Sequence, residues 1–531
     1  MKRKIYYFIL SMGLIAGLTG CTGLIDVQPE NSTTYTNYFQ TRQDAESLLT
    51  ELLLRMRNGE SARKGLGYIL DEDSRYTSLR TMQSGTGDAA SVYRLTYQAN
   101  LILENAHRFK ISEEELKPYL LQAYFANALG YWRLARDCGE MVISKSTTDF
   151  GPRAKSSVTE MLDEAEKWAL LAMDLPKYEE LSGLDGPIIK NYGSKGAAAA
   201  LLAHLYAWRA SVEGKDEYWE KAEEYCSMII EQKVGNYELA ADPEAVVTDV
   251  MYRDSKESIW EIANSAQEER FMQNTFIGFP VITSGFTPES GYYASTVYKS
   301  TVNKMYEEGD KRREAYFFAL DADVIYLKYD NGNVIPVTEC NPGDSILPPG
   351  GYDNTKIKRA FIYKFRYPYY KITLNNPTPQ YRGLDQSEVV WRLGEIYLLR
   401  AECRARQGKD NAVDDLNVIR RRAFGNTEHD FPNAADVEKG LANNICLAIF
   451  REREKELLQE NHRYYDVVRN GYCFFNGKDI YDYVRKELPP AFALLTDRDI
   501  EDGALYAEVE SIFFTNNNLM RQNLYWNRSK Q

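Results

Sequence analysis

Cysteine and histidine are scarce in this chain, with 7 Cys and 4 His among 531 residues. The four His are widely scattered, which argues against a His-rich metal site. No two Cys form a CxxC pair, so zinc is not expected. The chain has no Gly-x-Ser-x-Gly, no His-Glu-x-x-His and no glycine loop ending in Lys-Ser/Thr. Those gaps remove the common hydrolase, zinc-protease and nucleotide chemistries. Long basic runs are missing too, and the formal charge is −13, so a nucleic-acid partner is not expected. After residue 21 no apolar stretch reaches the ~18 residues of a membrane-spanning helix. Aromatics, by contrast, are abundant: 39 Tyr, 21 Phe and 7 Trp. Such a chain either packs many rings inside or shows them to something.

The first residues read as an export signal. Lys2, Arg3 and Lys4 precede an apolar run, Ile5 to Leu18, that is short for a permanent span. Leu18-Thr19-Gly20-Cys21 resembles the bacterial lipobox, so residues 1–20 are expected to leave as a lipoprotein signal peptide, with acylation (palmitate among the chains) of Cys21. Acyl chains there would give a stable anchor. Of the remaining Cys, Cys138, Cys226, Cys403 and Cys446 lie in helical patterns and read as small core residues. No disulfide framework is expected.

Helical periodicity dominates residues 21–255. Ala45, Leu48, Leu49, Leu52 and Leu53 share one helix face. A second helix spans about 88–109, and a third starts at Ser112, with Glu115 completing a capping box. A fourth covers 157–175. The segments 192–209 and 218–232 read as two antiparallel helices with Gly214 at the turn, and 389–407 with 411–423 has the same build around Gly408. These pairs look like degenerate tetratricopeptide-type units; generic helical hairpins would give the same pattern. Tyr97, Tyr206, Tyr397 and Tyr465 sit at helical spacing and are expected to pack. From about 255 to 382 clean periodicity is scarce, Gly and Pro punctuate the chain, and Ser258–Ile262 alternates like a strand. The expected fold is therefore mainly α, with helical hairpins as the body and a loop-rich part containing short β-strands. Residues 256–531 form its second region, loop-rich and then helical. Long ordered loops of this kind are usually functional.

Acidic clusters occur at Asp71-Glu72-Asp73 and at Asp321/Asp323. Paired carboxylates can hydrolyse a glycoside, but acids are abundant here and any two can be paired on paper. A structural calcium ion has no loop spacing to support it, and no cofactor is expected. The segment 449–469 is denser: Glu452, Arg453, Glu456, Glu460, Arg463, Asp466 and Arg469. It is either a solvated charged helix face or an Arg–carboxylate network pinning this helix to its neighbours, since Tyr464, Tyr465, Val467 and Val468 are interleaved.

That segment resembles the SusD/RagB family of Bacteroidetes outer-membrane nutrient-binding lipoproteins. The likeness extends to Arg392-Leu393, Glu395 to Glu402, Gly408, Ala412 and Leu416 to Arg420, to Asp310 with Arg312, and to Tyr97, Ala99-Asn100 and Ile102. Asn461 departs from the family's usual Gly and Tyr464 from its common Trp. The resemblance implies a helical body of four tetratricopeptide-like units. It implies a cell-surface lipoprotein that captures oligo- or polysaccharide and passes it to a SusC-like TonB-dependent outer-membrane barrel without cleaving it. A peptide-binding RagB-like member is the alternative, and a lipid-anchored glycoside hydrolase a more distant one. It further implies a ligand face on loops 67–82 and 271–298, with 363–381 beside them. The candidate contacts are Asp73, Arg75, Tyr76 and Arg80 from the first loop, and Phe286, Tyr292, Tyr293 and Tyr298 from the second. Aromatic rings stack on sugar C–H faces while polar groups hydrogen-bond the hydroxyls.

Overall fold

The computed structural model describes residues 35, 37–58, 89–148, 150–181, 189–272, 296–330, 333–373, 376–474, 480–488 and 490–528. Cys21 and every candidate contact residue except Tyr298 lie outside them.

The body is helical: α1 (Arg42–Asn58), α2 (Ala89–Glu104), α3 (Glu113–Asp137), α4 (Val158–Ala172), α5 (Lys195–Val212) and α6 (Glu217–Ile230). Each helix of the α3–α4 pair starts at a reciprocal cap. Ser112 Oγ accepts from the Glu115 N–H at 3.2 Å, and Glu115 Oε2 accepts from the Ser112 N–H at 3.0 Å. Ser157 and Glu160 repeat this at 3.2 and 2.8 Å. The α5–α6 hairpin turns at Gly214, whose φ of +64° suits a residue without a Cβ. Ala197, Ala198, Ala199 and Ala200 are wholly buried on α5. Small side chains let the neighbouring helices approach closely. The approach is tightest at Gly196, where a Cβ would lie 2.0 Å from Tyr237 Oη.

Residues 258–392 hold short strands, as the loss of helical period implies. The first, β1 (Ser258–Ile262), is buried along its length. Next come β2 (Thr296–Tyr298), α7 (Lys299–Met305), α8 (Arg312–Tyr316), β3 (Phe317–Phe318), β4 (Val324–Asp330) and β5 (Asn333–Val337). The stretch closes with β6 (Tyr352–Asp353), β7 (Arg359–Ile362), β8 (Pro368–Thr373), β9 (Asn376–Leu384) and β10 (Glu388–Arg392). They form antiparallel sheets in the orders β2-β7-β3 and β5-β4-β6, the hairpin β8-β9, and the pair β1-β10.

The helices then resume as α9 (Leu393–Arg406), α10 (Ala412–Phe424), α11 (Ile445–Glu456) and α12 (Arg463–Phe474). The helix expected from Val389 starts four residues later. Residues 388–392 are instead β10, because Trp391 pairs with Trp260 of β1, a partner that local periodicity does not contain. Cys138, Cys226 and Cys403 are buried, as are Tyr206 and Tyr465. Tyr97, expected to pack, is instead 46% exposed on α2. Among the described residues no helix is long and apolar enough to cross a membrane.

Candidate functional site

The charged segment 449–469 is not one helix with a solvated face. It is α11 and α12, broken where Gln459 and Asn461 adopt φ of +63° and +65°. Its charges are buried: Glu452 is 0% exposed, Arg453 and Glu456 1%, Asp466 2%. Arg312 binds Asp310 Oδ2 at 2.8 Å and Glu452 Oε1 at 2.7 Å. Arg392 reaches Glu257 (2.8 Å), Glu456 (2.8 Å) and Glu460 (2.7 Å). Arg422 joins Glu257 (2.8 Å) to Glu456 (2.6 Å). Arg453 joins Glu395 to Asp466, both at 2.9 Å, and Arg469 joins Glu402 to Asp466, both at 2.7 Å. Lys364 donates to Glu460 and to the Glu456 carbonyl.

Burial by itself would push the Glu456 carboxyl up, but Arg422, Arg392 and Arg312 outweigh it and hold the group well below the usual carboxylate range. Glu452 is held low in the same way by Lys455, Arg312 and Arg420. These groups are occupied by one another. They form a clamp that fastens the loop-rich region (Asp310, Arg312, Lys364) and β10 (Arg392) to α10 and α11.

The loop face is different in kind. The chain leaves α1 at Asn58, before one loop of candidate contacts, and Arg270, shortly before the other, lies beside it. Arg57 Nη1 meets Glu268 Oε2 at 2.5 Å, Arg270 Nη1 donates to Asn58 Oδ1 at 3.0 Å, and Arg270 Nη2 donates to the Arg57 carbonyl at 3.3 Å. The β8–β9 hairpin packs on the same place. Phe271 stacks on Tyr369 at 5.2 Å and 16°, Lys371 pairs with Glu269, and Met272 bridges to Leu384. The aromatic contact is close because Gly383 has no side chain; a Cβ there would meet Phe271 Cβ at 2.3 Å. Tyr370 and Tyr381 stand edge to face at 5.8 Å, and neither hydroxyl has a hydrogen-bond partner among the described residues.

The described ends of two expected ligand loops and the third segment, 363–381, therefore converge. Tyr298 is set on a different sheet. It ends β2, opposite Arg359 of β7, and is 36% exposed. Phe271, Tyr369, Tyr370 and Tyr381 were not singled out from the sequence. The run Tyr367-Pro368-Tyr369-Tyr370 was the available signal, but only the fold puts Phe271 against it.

Among the described residues no group of side chains is arranged to hold a metal ion. Residues 256–527 match the family model described as SusD family, and residues 27–207 match the model described as starch-binding associating with outer membrane. The chain belongs to the SusD family, a family of outer-membrane-associated, glycan-binding proteins. Two SusD-like proteins of Formosa agariphila are each 24% identical to it. One alignment covers 76% of this chain and 73% of the relative, the other 88% and 90%. A solved SusD homologue from Bacteroides thetaiotaomicron has a TM-score of 0.66 at 20% identity, covering 92% of this chain and 99% of its own. NanU of B. fragilis has a TM-score of 0.64 at 19% identity, covering 94% and 99%. These similarities bear on the fold.

Proposed function

We propose that this protein captures an oligo- or polysaccharide on its loop face and delivers it, uncleaved and without a cofactor, to a TonB-dependent outer-membrane barrel. Acylated Cys21 is the anchor in this reading. The observation that supports the glycan face is the convergence of Asn58, Met272 and the β8–β9 hairpin, with Phe271 stacked on Tyr369 at its centre. Asp73, Arg75, Tyr76 and Arg80 follow Asn58 in sequence, and Phe286, Tyr292 and Tyr293 follow Met272, so both sets start from that junction. Tyr298 is the weakest member of the set, since it sits on the β2-β7-β3 sheet. Aromatic faces with interspersed Arg and Asp suit sugar rings.

Replacing Tyr76, Tyr292 and Tyr293 together with Ala tests this reading. The expected outcome is loss of retention in affinity electrophoresis on the glycans that the wild-type chain binds, with an unchanged circular dichroism spectrum. Unchanged retention on all of them would sink the assignment. Binding of oligopeptides and of no glycan would replace it with a peptide-capture role. Co-purification of the tagged, lipidated chain with a co-expressed barrel from its own gene neighbourhood tests delivery.

A further inference from the structure

A cavity lies inside the helical body, among α3, α5, β10 and the turn between α11 and α12. Its volume is about 70 Å³, and Trp132, Trp208, Trp391 and Tyr465 are among its walls. Trp132 meets Trp208 edge to face at 6.1 Å, and Trp208 meets Tyr465 at 6.3 Å. On the other side Trp391, His204 and His462 form a stack, with centroids 5.8 and 6.1 Å apart. The partly exposed Arg136, Glu388, Asn461 and His462 mark its open side.

Two polar atoms of this lining are buried without a partner. Trp208 is 4% exposed, and among the described residues its Nε1 donates to nothing and Asn461 Oδ1 accepts from nothing. A buried donor and a buried acceptor left open in one lining are costly unless something fills them. Two of the three wall carboxylates are bound by cations. Glu460 is held by Arg392 and Lys364, and Asp466 by Arg453 and Arg469. Arg136 gives its Nε to Asp137 at 3.0 Å and lies over the Tyr465 ring at 3.8 Å. Burial lowers the His462 imidazole to about 4, so that ring is neutral at neutral pH. The cavity thus offers aromatic faces and neutral hydrogen-bonding groups, with Glu460, Asp466 and Arg469 already paired to other side chains. It has room for roughly five waters, a space for one compact molecule and not for a chain.

We propose that this cavity is a second binding site, for a neutral polyhydroxylated molecule no larger than a single sugar ring. Trp208 Nε1 donates to one hydroxyl oxygen, Asn461 Oδ1 accepts from a hydroxyl, and the tryptophan rings cover the C–H faces. Asn461 enters the lining from a left-handed backbone position.

The test uses the full mature chain, titrated with glucose, galactose, mannose and glycerol and followed by tryptophan fluorescence and ligand-observed NMR. At least one of these probes should saturate with a Kd of about 1 mM or tighter. Trp208→Phe keeps the ring and removes the donor; Asn461→Gly removes the acceptor and suits the backbone. Each should weaken that probe at least ~10-fold, the scale of one lost buried hydrogen bond, with thermal melts near wild type. Should Trp208→Phe fail to fold, Asn461→Gly carries the test alone. Saturation by none of the four probes, binding of acetate or glucuronate alone, or wild-type affinity in the folded variants would overturn the proposal. Polysaccharide retention should stay unchanged in both variants. Its loss would make the cavity part of the loop face and overturn the claim of a separate site, whereas failure of the loop variants above would leave this site standing.

Discussion

Two regions of the body solve the same packing problem with opposite chemistry. Around α5, Gly196 and Ala197 to Ala200 let elements approach because little side chain stands between them. Around α11, Glu452, Arg453 and Glu456 are as deeply buried, yet each is ionisable and each has at least two oppositely charged partners. The alanine seam joins elements close in sequence. The charged seam joins residues far apart, as Arg312 to Glu452 and Arg392 to Glu257 do. Size permits close approach but fixes no partner, whereas a guanidinium fork meeting a carboxylate fixes distance and orientation together. The cost is desolvation, which the network offsets only while every member is present.

The sharpest way to break this contrast is Arg392→Met. It leaves Glu257, Glu456 and Glu460 short of a shared cation, and we expect a loss of about 3–5 kcal/mol in chemical denaturation. Its pH signature follows from sign. Glu456 is held below the ~4.3 of an unfolded glutamate, so its contribution is present above that pH and is lost as pH falls through the folded value. Weakening the cations should therefore move the acid-unfolding midpoint upward. The alanine seam should respond to volume and not to pH: Gly196→Ala drives a methyl into Tyr237 and should cost about 1–3 kcal/mol, with the wild-type acid midpoint retained.

A third variant sharpens the comparison where a buried charge lacks a bonded cation. Glu261 accepts from the Asp254 N–H at 2.8 Å, while its Oε2 has no partner. Burial pushes this carboxyl up to about 7, against smaller lowering effects of Ser258 and Lys190. Between ~4.3 and 7 the folded chain holds the extra proton, so stability falls as pH rises through that window. Glu261→Gln should stabilise the protein at pH 8 by on the order of 1–2 kcal/mol and leave it nearly unchanged at pH 4. A destabilised variant at pH 8 would show that the ionised carboxylate is structurally useful.

The helical hairpins, the cap at Ser112, the turn at Gly214 and the strand at 258–262 were legible in the sequence, because each depends on residues within a few positions of one another. The family resemblance was legible too, through fixed offsets around Glu452 to Arg469. The solvated and networked readings of that segment could not be told apart, since the same charges serve either. Tyr97 shows the same limit: its spacing is that of a packed residue, yet it is 46% exposed. The start of α9 was misplaced because Trp260 lies 131 positions before Trp391, outside any local window.

By itself, then, the sequence determined which stretches are helical and which are loops, and the family to which they belong. Only the tertiary structure decided that the charges are buried, that Phe271 meets Tyr369 at the mouth of two loops, and that Trp208 and Asn461 line one cavity. Local propensity and periodicity act over a few residues, whereas desolvation and ion pairing depend on partners that meet only when the chain has folded.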